Sequence, residues 1–444
     1  MQITHRMIAF IAVALLLAGC TSGPNTADQT TTAEKTGTAV ATTDVSGGPG
    51  TGTAVALPPA YTAVAIVQLG EATMPFKGTD GKFHVVYDLL LTNASVAPAT
   101  LERIDVVDEA SRATVIQSFS GKQLVDPDCD YGDCNRLRTL PSSPAPDTKI
   151  AAQESRALLV HLSFDSLADA PKMVLHHAYL QAAANPGTTE PSDVDYLVTP
   201  VNISAGTARV ISPPVRGTNW VAQNGCCDVG FPHIPSLSPL SGKLSNSQRL
   251  AIDWMRTNDD GEFVSGDKTK NESYLGYGQE IHAVADGTIS STLDTLEANT
   301  PGVLPASDPE LRKQITVETV DGNHIVQDLG GGVWAMYAHL QKGSLLVKPG
   351  DQVKAGQVIA KLGNTGNSNA AHLHFQLMND PSLIGADAVP YVLDNFSYAG
   401  FLNPELMLAA DDYITGKFFA DHLATVQPRT DELPMSGNII NFPG

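Results

Sequence analysis

Basic side chains are scarce in this chain of 444 residues. Lys and Arg number 27 against 47 Asp and Glu, a formal net charge of −20. Binding to nucleic acid depends on neutralising phosphates, so this balance excludes nucleic acid as a partner and argues equally against a basic peripheral membrane anchor. Aromatic residues are few, 6% beside a hydrophobic content of 42%, which fits a globular, β-rich chain. No internal repeat is visible. The N-terminal apolar run, Met7 to Ala18, is about a dozen residues, short of a comfortable membrane span.

That run has the right size for an export signal. A short basic segment, Met1 to Arg6, precedes it, and Leu16-Leu17-Ala18-Gly19-Cys20 closes it. The ending resembles the lipobox of bacterial lipoproteins. The resemblance implies a leader over 1–19, cleavage before Cys20 and acylation of its thiol. The mature protein would then be exported and lipid-anchored to the bacterial membrane, facing the periplasm or the cell surface. The membrane would be a partner only through that anchor. An ordinary signal peptide with a chance cysteine is the alternative. Thr21 rather than Asp beside Cys20 points to an outer-membrane destination in a two-membrane cell. Residues 20–56 are rich in Thr, Gly, Ala and Ser. With almost no large apolar side chains to offset the entropy of ordering, they read as a flexible tether reaching roughly 30 Å or more.

Four cysteines remain. Cys129 and Cys134 sit in the turn-rich "CDYGDC" and read as a loop disulfide, which an exported protein can keep. The spacing could also suggest metal, but no second cysteine pair follows at zinc-finger distance. Cys226 and Cys227 are adjacent, so a bond between them would be strained and their state is open.

The expected fold class is all-β. From 57 to 205, "FHVVYDLLLTN", "ALLVHLSF", "MVLHHAYLQA" and "DYLVTPVNIS" read as strands. Turn residues punctuate them, a pattern that suggests a β-sandwich. His84, His161, His176 and His177 in this half read as structural. Residues 206–239 look like a linker and entry loop. A second, glycine-dense β domain is expected over 240–400. A short C-terminal helix follows, with Asn403 to cap it, Pro404 at its first position and Glu405 in its first turn. The Pro-, Asn- and Gly-rich tail after about 427 reads as loose.

The chemistry concentrates in the second domain. In "AAHLHFQLM" a strand would put His372, His374 and Gln376 on one face and Leu373, Phe375 and Leu377 on the other. Two imidazoles side by side on a rigid strand suit a metal site. A half-exposed strand that happens to carry histidines is the other reading. Asp253 ends the apolar run of "QRLAIDWM", and His339 closes a strand in "VWAMYAHL".

"AVADGTI", "YAHL", "VKPGDQVKAGQVIAKLGNTGNS" and "AHLHF", in this order, resemble the lysostaphin-type zinc peptidases, which cut peptide cross-links in bacterial cell walls. The likeness covers roughly 240 to 395 and implies a lysostaphin-like antiparallel β domain. In that family zinc is held by the His and Asp of His-x-x-x-Asp and by the second His of His-x-His. Carried over, Asp253 and His374 are metal ligands of one zinc ion. His372 and His339 stand beside it as general base and transition-state stabiliser. Peptidoglycan peptides are the implied partner.

One position departs from the pattern. The residue four before Asp253 is Arg249, where the family has its first histidine ligand. A guanidinium has no lone pair for zinc and could pair with Asp253 instead. Gln248 is a poor substitute. His233 or His282 could fold back to replace it, while His324 looks like a turn or strand-end residue. Two outcomes follow: a working cell-wall metalloendopeptidase with an altered ligand set, or a degenerate relative that binds peptidoglycan or activates a partner wall hydrolase. Asp259, Asp260, Glu262 and Asp267 cluster in a long insertion after Asp253. Their spacing fails the regular calcium loop, so a solvated acidic loop is expected.

Overall fold

Alternating apolar residues drive the first half into two packed sheets. The computed structural model describes residue 57 and residues 59–70, 73–129, 132–402, 417 and 420–444. Cys20, the leader, the whole tether and the expected helix at Asn403 lie outside the described residues. One sheet runs Val64–Leu69, Phe83–Asn93, Ser155–Phe164, Leu137–Thr139, with Phe76–Lys77 on its flank. The other runs Ser192–Asn202, Met173–Ala182, Ala99–Asp108, Val115–Ser120, with Lys149–Ile150 beside it. Val85, Tyr87, Leu89 and Leu91 point inward from one sheet and meet Leu101, Ile104, Val106 and Leu180 of the other in a single apolar cluster. This inward-facing alternation is the physical basis of a sandwich.

The histidines of this half bond locally. His176 lies between the Tyr87 hydroxyl, 2.8 Å, and the Thr199 carbonyl, 2.8 Å. His84 bridges His161, 2.9 Å, and Asp80, 3.0 Å. Cys129 and Cys134 are joined in a disulfide, and so are Cys226 and Cys227.

The second half is built on a ten-stranded antiparallel sheet. Its order is Gln352–Val353, Gly287–Leu293, His324–Asp328, Trp334–Ala338, Leu373–Met378, Ile252–Arg256, Gly217–Gln223, Asn438–Phe442, Phe396–Leu402 and Ala420–Arg429. Two expectations are corrected here. Residues 206–239 are no simple linker, because Gly217–Gln223 is an interior strand and Arg209–Ile211 pairs in parallel with Tyr391–Leu393. The tail is not loose, because Asn438–Phe442 lies between two other strands with Ile439 and Ile440 fully buried. Pro and Gly around the short run "NIINF" hid a strand whose apolar pair belongs to the core. The two halves also share apolar packing: Phe76 and Val86 of the sandwich join the core of the large sheet.

Candidate metal centre

Strand register brings the first two candidate ligands together. Asp253 lies directly opposite His374 in the antiparallel pair, and Ala338 lies opposite His374 on its other side. In a regular strand His339, the next residue along, would face the other way, but the strand ends at Ala338 and a φ of 62° turns its ring to the same spot. Side chains paired across antiparallel strands share a face, so Asp253, His374 and His372 converge there with His339 although the chain separates them widely. The strand that carries His374 is buried on both faces, not half-exposed.

His374 Nδ1 is 3.0 Å from Asp253 Oδ1, and His372 Nε2 is 3.4 Å from the same oxygen. Rings of His339 and His372 lie 4.8 Å apart, and those of His339 and His374 lie 5.9 Å apart. His233 also enters the cluster. Its Nε2 is 3.4 Å from Asp253 Oδ2 and its ring stands edge-on to His374 at 4.7 Å. The ligand atoms of His233, Asp253 and His374 all lie within 4.8 Å of one another. Of the two histidines that could replace the missing ligand, His233 reaches the site. His282 sits in a separate two-stranded ribbon against Val358.

Arg249 does not pair with Asp253, and that expectation is corrected. Its guanidinium donates to Asp88 at 2.7 and 3.1 Å and to Asp387 at 3.0 Å. Asp88 belongs to the sandwich strand Phe83–Asn93, so the pairing crosses between the two halves. Burial would lower the guanidinium pKa, but the two carboxylates outweigh it and raise it further.

Hydrogen bonds fix which nitrogen each histidine presents. His233 Nδ1 donates to the Ala251 carbonyl, 3.2 Å, which leaves the Nε2 lone pair toward Asp253. The Gln376 amide donates to the Leu383 carbonyl, 3.3 Å, so its oxygen faces His374 Nε2 at 2.9 Å and calls for an N–H there. The nitrogen that His374 can offer a metal is then Nδ1. His339 Nδ1 donates to the Thr365 carbonyl, 2.7 Å, and His372 Nδ1 to the Ala370 carbonyl, 2.9 Å. In the neutral ring each presents Nε2 as an acceptor. Partners on the far nitrogen of a ligating histidine set its tautomer and aim.

The backbone supports these aims. His339 adopts φ 62°, uncommon for a residue with a side chain, and its N–H is held by the Asp321 carbonyl at 3.0 Å. Thr365 is pinned where two glycines touch: Gly322 (φ 67°) and Gly366 (φ 72°) approach so closely that a Cβ on Gly366 would lie 2.2 Å from the Gly322 nitrogen. Asn224, which sequence reasoning missed, donates to Asp253 Oδ2 at 2.7 Å.

The donor set fits zinc. Two imidazole nitrogens and one carboxylate oxygen form a common catalytic ligand set with room for a fourth, exchangeable position. The second test is electrostatic. Asp253 Oδ1 and His374 Nδ1 are both acceptors 3.0 Å apart unless a cation or a proton lies between them. Burial lowers the His374 pKa, but the hydrogen bond and charge of Asp253, with the charge of Asp321 and the hydrogen bond to Gln376, together outweigh it and raise it. Burial pushes Asp253 up, yet the charges of His233 and His372 and the hydrogen bonds from His372 and His374 hold it well below the usual carboxylate range. Burial first, then its histidine neighbours, hold His339 well below the ordinary imidazole value, and burial brings His233 to about 4. Without metal, one proton held by His374 fills the role of the cation.

A pH dependence follows. His374 binds its proton more tightly than a free imidazole, and that proton must leave before a metal binds. The apparent zinc affinity should therefore fall as the pH drops through the raised His374 pKa, by about tenfold per pH unit for one competing proton. Zinc competition titrations between about pH 8 and about pH 5, across the usual imidazole range, check this. A flat profile would contradict it.

His84, His161 and Cys227 form a second group of potential ligands among the described residues. The Cys227 sulfur is tied to Cys226, so it is no thiolate. In the insertion, Glu262 accepts from Asn258, Asp259 from Asn219, and Asp267 from Thr269. Those carboxylates form local loop contacts rather than a cation site.

Comparisons with known proteins bear on the same region. The family model for Peptidase family M23 matches residues 274–385, which include His339, His372 and His374 and begin downstream of Asp253. The chain is 57% identical over 44 residues to glycyl-glycine endopeptidase ALE-1 of Staphylococcus capitis, 10% of this chain and 12% of that protein. It is 42% identical over 57 residues to peptidoglycan DD-endopeptidase ShyA of Vibrio cholerae, 13% of each chain. It thus spans about an eighth of the length of these relatives. Among solved structures, the catalytic domain of lysostaphin from Staphylococcus simulans aligns at 24% identity. The alignment covers 34% of this chain and 80% of that one, with a TM-score of 0.20. The all-β class stands on the strands themselves, and the family match supports an M23 peptidase domain within the second half.

Proposed function

We propose that this protein is a metalloendopeptidase of the bacterial cell wall that hydrolyses peptide bonds of peptidoglycan around a zinc ion held by His233, Asp253 and His374. The convergence of those three ligand atoms within 4.8 Å carries the proposal. His233 supplies from an upstream loop the nitrogen that Arg249 cannot. The relatives, named as endopeptidases of glycyl-glycine bonds and of peptidoglycan, support the substrate class.

Zinc, when bound, supplies a Lewis acid that polarises the scissile carbonyl and lowers the pKa of a water. The chain does the rest. Asp253 contributes the negative charge, and Asn224 holds one of its oxygens by a hydrogen bond of 2.7 Å. His339 and His372 stand side by side with Nε2 lone pairs exposed to the cluster, because each Nδ1–H is tied to a backbone carbonyl. A neutral imidazole so placed takes the proton of the attacking water. The ring that has taken it becomes an N–H donor for the oxyanion that forms on the carbonyl. His372, the more exposed of the two, with 12% of its side chain accessible, is the general base in this scheme and, once protonated, the N–H donor to the oxyanion. His339, whose Nε2 stays an acceptor, packs beside it at 4.8 Å and orients the water.

The test is amine release from purified peptidoglycan. His372→Ala is expected to lower kcat by about 10²- to 10⁴-fold, the usual span for a general base, while the zinc content stays at that of the wild type. Unchanged turnover would remove His372 from the scheme. A domain that only binds wall peptides, or activates another hydrolase, predicts no zinc in the purified protein and no release with any variant. The export signal and the Cys20 lipid anchor belong to the same reading, which places the activity at the wall. Cys20→Ser should release the protein from the membrane fraction.

A further inference from the structure

We infer that the N-terminal sandwich is a working part of the metal site, in which Asp88, fixed by Arg249, positions His233 through Asn246. This rests on the reading of His233 as a ligand.

His233 lies in a loop with no regular structure of its own. Its turns are closed by short backbone bonds, Phe231 N–H to the Asp228 carbonyl and Ser236 N–H to the His233 carbonyl, each 3.2 Å. Such a loop has few internal means of holding a ligand to the accuracy a metal demands. The sandwich provides them. Asp88 lies on the strand Phe83–Asn93 and is almost fully buried, with 1% of its surface accessible. Its Oδ2 accepts from Asn246 Nδ2 at 3.1 Å, and the same amide donates to the Ile234 carbonyl at 2.8 Å. Ile234 follows His233 in the chain. The path from sandwich carboxylate to ligand is therefore two hydrogen bonds and one peptide unit.

Other sandwich contacts seat the same loop. Val229 and Ile234 pack on Leu159 of the strand Ser155–Phe164 in a small closed cluster. Arg138 donates to the Val229 carbonyl at 2.6 Å, and the Gly132 N–H donates to Asp228 at 2.8 Å. Arg249 holds the same Asp88 oxygen at 2.7 Å and ties it to Asp387. Where the family pattern calls for a histidine in the first ligand position, this chain has a buried cation that locks the sandwich carboxylate in place. The replaced ligand and the added domain are thus two parts of one arrangement. The sandwich supports the loop, and the loop delivers the imidazole.

A double-mutant cycle on the full-length protein tests this, read by zinc competition with a chromophoric chelator and by visible absorption of the Co²⁺-loaded protein. Partners that orient a metal ligand typically change affinity by about 10- to 100-fold when lost. Asp88→Asn should weaken zinc within that range and shift the cobalt spectrum in the direction of His233→Ala. Combined with His233→Ala, it should weaken zinc no further, because residues acting through one another do not add. Asn246→Ser cuts the link to Ile234 without removing a buried charge. It carries the same expectation should Asp88→Asn fail to fold. Wild-type zinc affinity in folded Asp88→Asn and Asn246→Ser, or full additivity with His233→Ala, would overturn the inference while leaving the ligand set intact. Wild-type affinity in His233→Ala alone would overturn the ligand assignment itself, and this inference with it.

Discussion

His233→Ala will bind zinc roughly 100-fold or more weakly and will show no release of amines from peptidoglycan above background. Lost partners behind a ligand already cost 10- to 100-fold, so a lost ligand costs at least as much. The remaining pair, Asp253 and His374, offers one carboxylate and one imidazole, short of the three protein ligands usual in a catalytic site. The ring is buried, with 5% of its surface accessible, and its Nδ1 is engaged by Ala251. Removal therefore strips a directed nitrogen from the site rather than a mobile surface group. His282→Ala is the matched control, since His282 lies in the ribbon with Val358, and it should leave zinc affinity unchanged. Zinc titration and wall digestion of both variants decide the matter. Full activity in His233→Ala would show that the imidazole is a neighbour and not a ligand.

Arg249→His will not raise activity on peptidoglycan. It will cost about 3–5 kcal/mol of stability, the range for breaking a buried ion pair from one side. From sequence alone the substitution looks like a repair, because it restores the family's first ligand. In the structure Arg249 is buried, and its guanidinium donates three hydrogen bonds, two to Asp88 and one to Asp387. An imidazole is too short to span both carboxylates and holds a weaker charge, so Asp88 stays buried without its cation. The same change disturbs the seat of His233, so activity should fall along with stability. Urea unfolding, read beside wall digestion, measures both. A variant as stable as the wild type and more active would mean that the guanidinium obstructs the site.

The strands were legible where apolar residues alternate without interruption. Phe83–Asn93 and Met173–Ala182 stand as read, and so does the placement of His372, His374 and Gln376 on one face, where His374 meets Gln376 and both histidines meet Asp253. Asp253, His374, His339 and His372 were legible as a set because short motifs around them carry a recognisable pattern and strand register does the rest. His233 was not, beyond being one of two histidines within reach. Its place depends on a loop whose seat is made by residues such as Asp88 and Leu159, far upstream in the chain. Arg249 was misplaced for the same reason. The nearest carboxylate in sequence was Asp253, but the partner it found lies 161 residues away. The strand Asn438–Phe442 escaped because its flanking Pro and Gly outweighed an apolar pair that only the finished core explains.

X-ray absorption at the zinc edge of the metal-loaded protein asks most directly what holds the ion. Two imidazoles and light oxygen or nitrogen neighbours at about 2.0–2.2 Å, with no sulfur near 2.3 Å, are expected, falling to one imidazole in His233→Ala. A single imidazole in the wild type, or a sulfur shell, would contradict the assignment of His233, Asp253 and His374.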